Sequence, residues 1–266
     1  MLAKRANRKA ALGSKIEGKL FVFLFLAVAT TLTGTARAQN CLTSDEMDAP
    51  TRQALELAAQ RYFALAASGD VAALKRSSTA GVAEAFAATA AAVQASQANL
   101  ATTKPALHSV FALTVEDQAP GPITAQRKEF LCGAFGKAGQ TASSAVFVLD
   151  NLSAGRYGVA ILDATRSGGG TADATKNEPY VVSFVLQQVA GEWRLAGFYA
   201  RPAQSAGHGS EWFTERAQAF VGKSQKHNAW FYFQEARNLA TTVPFMSTRE
   251  TDALYDEAQK IGRAHV

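Results

Sequence analysis

Hydrophobic periodicity switches twice along this chain, from a helical repeat to alternation at Pro105 and back to a helical repeat at Ser210. Before the first switch, Leu55, Ala58, Ala59, Tyr62, Leu65 and Ala66 recur at three- and four-residue spacing behind Pro50. This predicts an amphipathic helix over 48–66. Ser68-Gly69-Asp70 ends it, a short helix runs through Lys75, and the alanine-rich stretch 81–99 makes a longer one. After Pro105, Leu107, Phe111, Leu113 and Val115 share one parity, Ser109 is the polar exception, and His108, Thr114 and Glu116 take the other face. Strands are predicted at about 106–117, 126–136, 143–150, 156–164, 179–190 and 193–201. Ala190-Gly191 marks a tight hairpin, and 167–177, with Gly168-Gly169-Gly170, a loop. Helices first and hairpin-linked strands second imply an α+β fold: helices on a curved, mostly antiparallel six-stranded sheet, followed by a small all-α C-terminal segment.

In that last segment Trp212, Phe213, Ala217 and Phe220 form one stripe and Ala229, Phe233 and Ala236 the next. Ser247-Thr248-Arg249-Glu250 reads as a capping box opening a further helix. The expected division is therefore an α+β domain over 39–203 and a helical hairpin plus one helix over 204–260. The final six residues, Ile261-Gly262-Arg263-Ala264-His265-Val266, match the translation of a common sequencing adapter, so the natural chain is expected to continue past 260.

The first 38 residues carry a basic stretch, an apolar run over 20–29 and the small-x-small triplet Ala36-Arg37-Ala38, the pattern of a signal peptide cleaved after Ala38. The apolar run falls short of the roughly 20 residues of a membrane-spanning helix. Membrane association is thus expected only through an uncleaved leader, and the mature chain is placed in the periplasm or outside the cell. Residues 1–38 hold seven of the 27 Lys and Arg but one of the 22 Asp and Glu, which leaves 20 basic against 21 acidic residues afterwards. The sequence pI of about 9.2 therefore belongs to the leader. A nucleic-acid partner, which needs a basic face to neutralise phosphates, is not expected. Cys41 and Cys132 remain, and an oxidising compartment allows them to join. The residues leave open a bridge or two separate thiols.

The order of elements, with Tyr62-Phe63 and Gly69-Asp70 after the first helix and the final hairpin carrying Trp193 and Tyr199, resembles the nuclear-transport-factor-two-like cone shared with ketosteroid isomerases. The resemblance covers about 45–202. It implies a curled sheet around a pocket in which relatives place an acidic base and a phenol. Asp163 shares strand parity with Tyr157, Val159 and Ile161, so the resemblance implies a pocket formed by Asp163 and Tyr157 with Tyr62 and Tyr199 nearby. The stretch from Phe213 to Ala236 resembles a tetratricopeptide hairpin, with Ala217 in place of the usual glycine and the proline late, at Pro244.

Little else carries chemistry. His108, His208 and His227 stand in three segments without close cysteine or carboxylate partners, so they read as solvated or capping histidines, and no metal is expected. No Gly-x-Ser-x-Gly occurs, and the triple glycine lacks the Lys-Ser/Thr of a phosphate loop. No catalytic residue and no cofactor is assigned. One lone helical hairpin cannot bury its own apolar face. The leading expectation is therefore an exported, non-catalytic binding or assembly module with a protein partner on Trp212, Phe213, Trp230, Phe231 and Phe233. The alternative is a small-ligand-binding or isomerase-like cone using a pocket near Asp163.

Overall fold

The computed structural model describes residues 40–116, 127–133, 144–166 and 179–263. The leader, the loop 167–177 and the outer ends of the strands predicted at 106–117, 126–136 and 143–150 lie outside the described residues.

Helix α1 (Ala49–Ser68) starts at Asp48, whose side chain accepts from the Thr51 amide at 2.8 Å. That bond holds the Asp48 carboxyl below the usual carboxylate range. Gly69, at φ 73°, ends the helix in the left-handed conformation that side chains resist. Helices α2 (Val71–Arg76), α3 (Ala80–Glu84) and α4 (Ala87–Leu100) follow. The stretch read as one helix over 81–99 is thus two, because Ala85 leaves helical geometry and lets Phe86 turn into the core.

The fold is α+β, as the periodicity predicts. Among the described residues the strands are β1 (Asn40–Thr43), β2 (Thr103–Val115), β3 (Arg127–Cys132), β4 (Ala145–Asp150), β5 (Gly155–Arg166), β6 (Tyr180–Val189), β7 (Glu192–Pro202) and β8 (Met246–Thr248). They form two antiparallel sheets rather than one of six strands, in the orders β1-β2-β5-β6-β7 and β3-β4-β8. The division follows from β2 and β5, which are apolar on both faces. On one face Val110, Ala112, Ala160 and Leu162 pack with Phe184 and Leu195 under α1, α2 and α4. On the other, Phe111, Leu113, Tyr157, Val159 and Ile161 need a second cover, and Phe130 and Phe147 of the β3–β4 hairpin supply it. Phe111 and Phe147 meet edge to face at 5.1 Å between ring centres.

The α1 side is tightly closed. A Cβ on Gly158 would lie 2.2 Å from Leu55 Cδ2, so this glycine is what lets the helix sit directly on β5. The Tyr62 hydroxyl lies 2.9 Å from the Ser77 carbonyl and 3.0 Å from that of Trp193, joining α1 to the final hairpin. That hairpin turns through Ala190 and Gly191, both at positive φ, the backbone of a two-residue turn that matches strand twist.

Three helices close the chain: α5 (Ser210–Gly222), α6 (Lys226–Ala240) and α7 (Arg249–Arg263). Ala217, Phe233, Ala236, Leu254 and Ala258 give them a small core of their own. Strand β8 pairs with β4 and so stitches these helices to the second sheet, within one compact unit, Gln39–Val266. The box opening α7 sits one residue later than Ser247-Glu250: Thr251 donates its amide to Thr248 Oγ1 at 3.3 Å, and Thr248 donates its own to Thr251 Oγ1 at 2.8 Å. Among the described residues no helix is long and apolar enough to cross a membrane.

Cys41 and Cys132 form a disulfide, with Cα atoms 4.9 Å apart and a separation of 91 positions in sequence. Cys41 lies on β1, paired to the large sheet opposite Leu113, and Cys132 on β3 of the small one. The bond therefore pins one sheet to the other. A loop of this length is worth about 4–5 kcal/mol on the chain-entropy account. The double replacement Cys41→Ala, Cys132→Ala is expected to lose about 3–5 kcal/mol in urea unfolding; a loss under about 1 kcal/mol would show that packing alone holds the sheets together.

Candidate functional site

The second face of the large sheet is covered unevenly. The β3–β4 hairpin covers it around Tyr157 and Val159, while farther along β5 the cover passes to β8 and the C-terminal helices. There a cleft of about 700 Å³ opens, with Ile161 and Val181 in its floor and Leu239, Ala240, Met246 and Ala253 opposite. A volume near this size, mostly apolar with a few polar groups, is what small-molecule sites in proteins share, at about 300–1,000 Å³.

Strand β2 supplies the polar part. Its register against β5 shifts between Leu107 and Ser109, so that Leu107 pairs with Leu162 and Ser109 with Ile161, leaving His108 as the extra residue. The bulge turns His108 into the cleft wall and brings its Nδ1 to 3.0 Å from Asp163 Oδ2. A carboxylate accepts, so the ring presents N–H at Nδ1 and its other nitrogen is left for a further partner. Both side chains stay in contact with water, at 55% and 44% exposure. Ser109 Oγ, also in the wall, is buried without a hydrogen-bond partner among the described residues.

The roof is built from helix ends. The Ser210 hydroxyl, at the start of α5, bonds the Ala236 carbonyl of α6 at 2.9 Å and lies 3.2 Å from Glu250 Oε1 at the start of α7. Thr248, Arg249 and Glu250 complete that side. Arg201 on β7 donates to the Asn238 carbonyl near the end of α6, anchoring it to the sheet. Burial lowers the Arg201 pKa from its ordinary value, and Glu235 opposes that shift. A second cavity of about 270 Å³, with Thr43, Ser44, Val110, Phe111 and Ser144 around it, shares His108, Ser109, Met246 and Thr248 with the first.

The four residues grouped by the cone resemblance do not meet. Asp163 does share a face with Tyr157, Val159 and Ile161, but Tyr62, on α1, is fully buried against the opposite face of the sheet, so it cannot stand beside Asp163. Tyr157 lies farther back along β5, its hydroxyl 3.0 Å from the Ser153 carbonyl and 3.2 Å from Gln187 Nε2. Tyr199 packs edge to face on Phe245 at 5.5 Å and lines a separate hollow of about 360 Å³ with Arg201 and Asn238. Burial raises its phenol pKa. His108, read as a solvated histidine without a carboxylate partner, does keep contact with water but pairs with Asp163. Its neighbour Ser109, a lone polar residue on an apolar parity, is the signal that marked the spot. His208, the second of those histidines, stacks on Trp212 at 3.8 Å.

The aromatic stripe on the C-terminal helices also separates. Phe233 is 1% exposed and belongs to the small core, which corrects its placement on a partner surface. Trp212, Phe213 and Trp230 are half-buried, Trp212 and Phe213 packing against Tyr232, while Phe231 keeps 53% of its surface exposed. Among the described residues no group of three His, Cys, Asp or Glu is placed to hold a metal ion. Comparison with protein-family models finds no match to this chain, and no curated protein or solved structure matches it either. The burial difference sets a contrast: Phe233→Ala is expected to cost about 3–5 kcal/mol in denaturant unfolding, and Phe231→Ala to stay within about 0.5 kcal/mol.

Proposed function

We propose that this chain is an exported binding module that holds a small, mostly apolar ligand in the cleft between β2, β5 and the C-terminal helices. The observation that carries the reading is the cleft itself: about 700 Å³, an apolar floor of Ile161 and Val181, and a histidine fixed by Asp163 at its wall. Binding rather than turnover is the better fit, because the His108–Asp163 pair is in contact with water, where a preorganised group contributes less to a transition state than it does in a water-excluded site. The fold is read as a divergent nuclear-transport-factor-two-like cone. The run of helices α1 to α4 ahead of the main strands and the link from Tyr62 to the Trp193 carbonyl support this, and the ligand site lies on the sheet face away from α1.

Export is supported by the basic and apolar leader together with the Cys41–Cys132 bond, which suits an oxidising compartment. Amino-terminal sequencing of the mature protein is expected to begin at Gln39; a start at Met1 would overturn export by a cleaved leader.

A second reading, assembly with a protein partner, is favoured by one observation: Val221 and Phe231, close to the α5–α6 turn, keep 48% and 53% of their surface exposed. Thermal unfolding separates the two. A ligand at about 100-fold its Kd should raise Tm by roughly 5–10 °C in a domain of this size, and Ala253→Trp, which fills the cleft from α7, should abolish the rise. A library of apolar small molecules that leaves Tm unchanged would count against the cleft and in favour of the partner surface.

A further inference from the structure

We infer that the ligand is an elongated, neutral amphiphile of the straight-chain alcohol class, seated with its hydroxyl on His108 and Ser109 and its chain in the cleft; the inference rests on the cleft reading above. Four residues carry the elongated shape. His108, Ser109, Met246 and Thr248 line both the 700 Å³ cleft and the 270 Å³ cavity, so the β2 bulge on one side and β8 on the other form a wall common to the two. Of the four, Met246 is an unbranched thioether with three rotatable bonds, the side chain best able to swing and join them. Apolar surface lies on both sides of this wall: Ile161, Val181 and Leu239 in the larger space, Phe111 in the smaller. A thin molecule that spans the wall buries its chain in both spaces, which a compact one does not.

The head group follows from hydrogen-bond arithmetic at the wall. Asp163 accepts the hydrogen bond from His108 Nδ1–H, which leaves Nε2 of the imidazole as an acceptor. Beside it, the Ser109 hydroxyl is buried with no partner among the described residues and can donate. One acceptor and one donor side by side match an alcohol, which gives one proton and accepts another. An ion is served less well. Asp163 stands behind His108 and Glu250 faces the same cleft, so a carboxylate meets two like charges. An ammonium, which only donates, offers no acceptor for the Ser109 hydroxyl proton.

The full disulfide-bonded chain, labelled with ¹³C at methionine and isoleucine methyl groups, tests this with 1-octanol, octanoate and octylammonium as probes. Met246 and Ile161 line the cleft, and Met47, 6% exposed in the core under α1, reports on folding. 1-Octanol is expected to shift Met246 and Ile161 saturably and leave Met47 in place. Octanoate and octylammonium should bind about tenfold more weakly, and His108→Phe should weaken octanol by about tenfold, the worth of one hydrogen bond near the upper end of its range. His108→Asn, which keeps a polar side chain at the bulge, serves if the phenylalanine variant disturbs Met47. Octanoate or octylammonium binding as tightly as octanol would overturn the head-group assignment and leave the cleft standing. Octanol binding that moves Ile161 without Met246 would overturn the spanning arrangement, and no response at either methyl to any probe would overturn the cleft reading itself.

Discussion

Strands β2 and β5 are apolar on both faces, and most of this architecture is a consequence of having to cover each. A sheet with one wet face can stop at one layer of helices; a pair of strands carrying Val110, Ala112, Ala160 and Leu162 on one side and Phe111, Leu113, Val159 and Ile161 on the other cannot. The helices settle on the first side and the β3–β4 hairpin on the second. Burying one large apolar side chain contributes roughly 1.5–3 kcal/mol, so leaving either face open would cost an amount comparable to a domain's typical margin of about 5–15 kcal/mol. The small sheet is short, and its third strand has three residues. The cleft lies where this cover passes from the hairpin to the C-terminal helices.

Local pattern carried much of this. The helices of the first hundred residues, apart from the break at Ala85 between α3 and α4, each of the six predicted strands and the Ala190-Gly191 turn are visible as period changes and turn residues in the sequence. What alternation does not report is which strands neighbour one another. Strands β2 and β5 pair directly across the intervening β3–β4 hairpin, and a two-faced strand looks, in sequence, much like a one-faced strand with small residues opposite: Val110 and Ala112 are the residues that betray the second face. The short strands β1 and β8, four and three residues long, are too brief to show a period.

The site was less legible for a related reason. A strand read by strict parity puts His108 on the face away from Ser109 and Phe111, and the single extra residue at the bulge changes that assignment. Asp163 could be placed on its face by counting, since β5 has no such irregularity against β2 in that stretch. Its partner could not, because the pairing of Ala106 with Asp163 and the bulge next to it are properties of two strands together. The aromatic stripe failed differently. Helical spacing identifies a face but not what it meets, and Phe233 meets α7 while Phe231, two residues before it, meets solvent.

The same contacts that form the cleft hold the C-terminal helices in place, and this couples the two. Thr248 caps α7 and lines both cavities, Glu250 lies beside the Ser210 hydroxyl and lines one, and Met246 belongs to β8, whose three pairings with β4 bind this region to the small sheet. A molecule lying between the floor at Ile161 and the roof at Ala253 touches the sheet and α7 at once. Any free energy it gains from having both walls present is, by linkage, free energy added to the docking of α7 on the sheet. The disulfide acts from the opposite end, fixing β3 to β1 so that the small sheet cannot drift when its other edge loosens. With one edge fixed covalently and the other held by three residue pairs, the cover over the second face has its weaker attachment at β8, beside the wall shared by the two cavities.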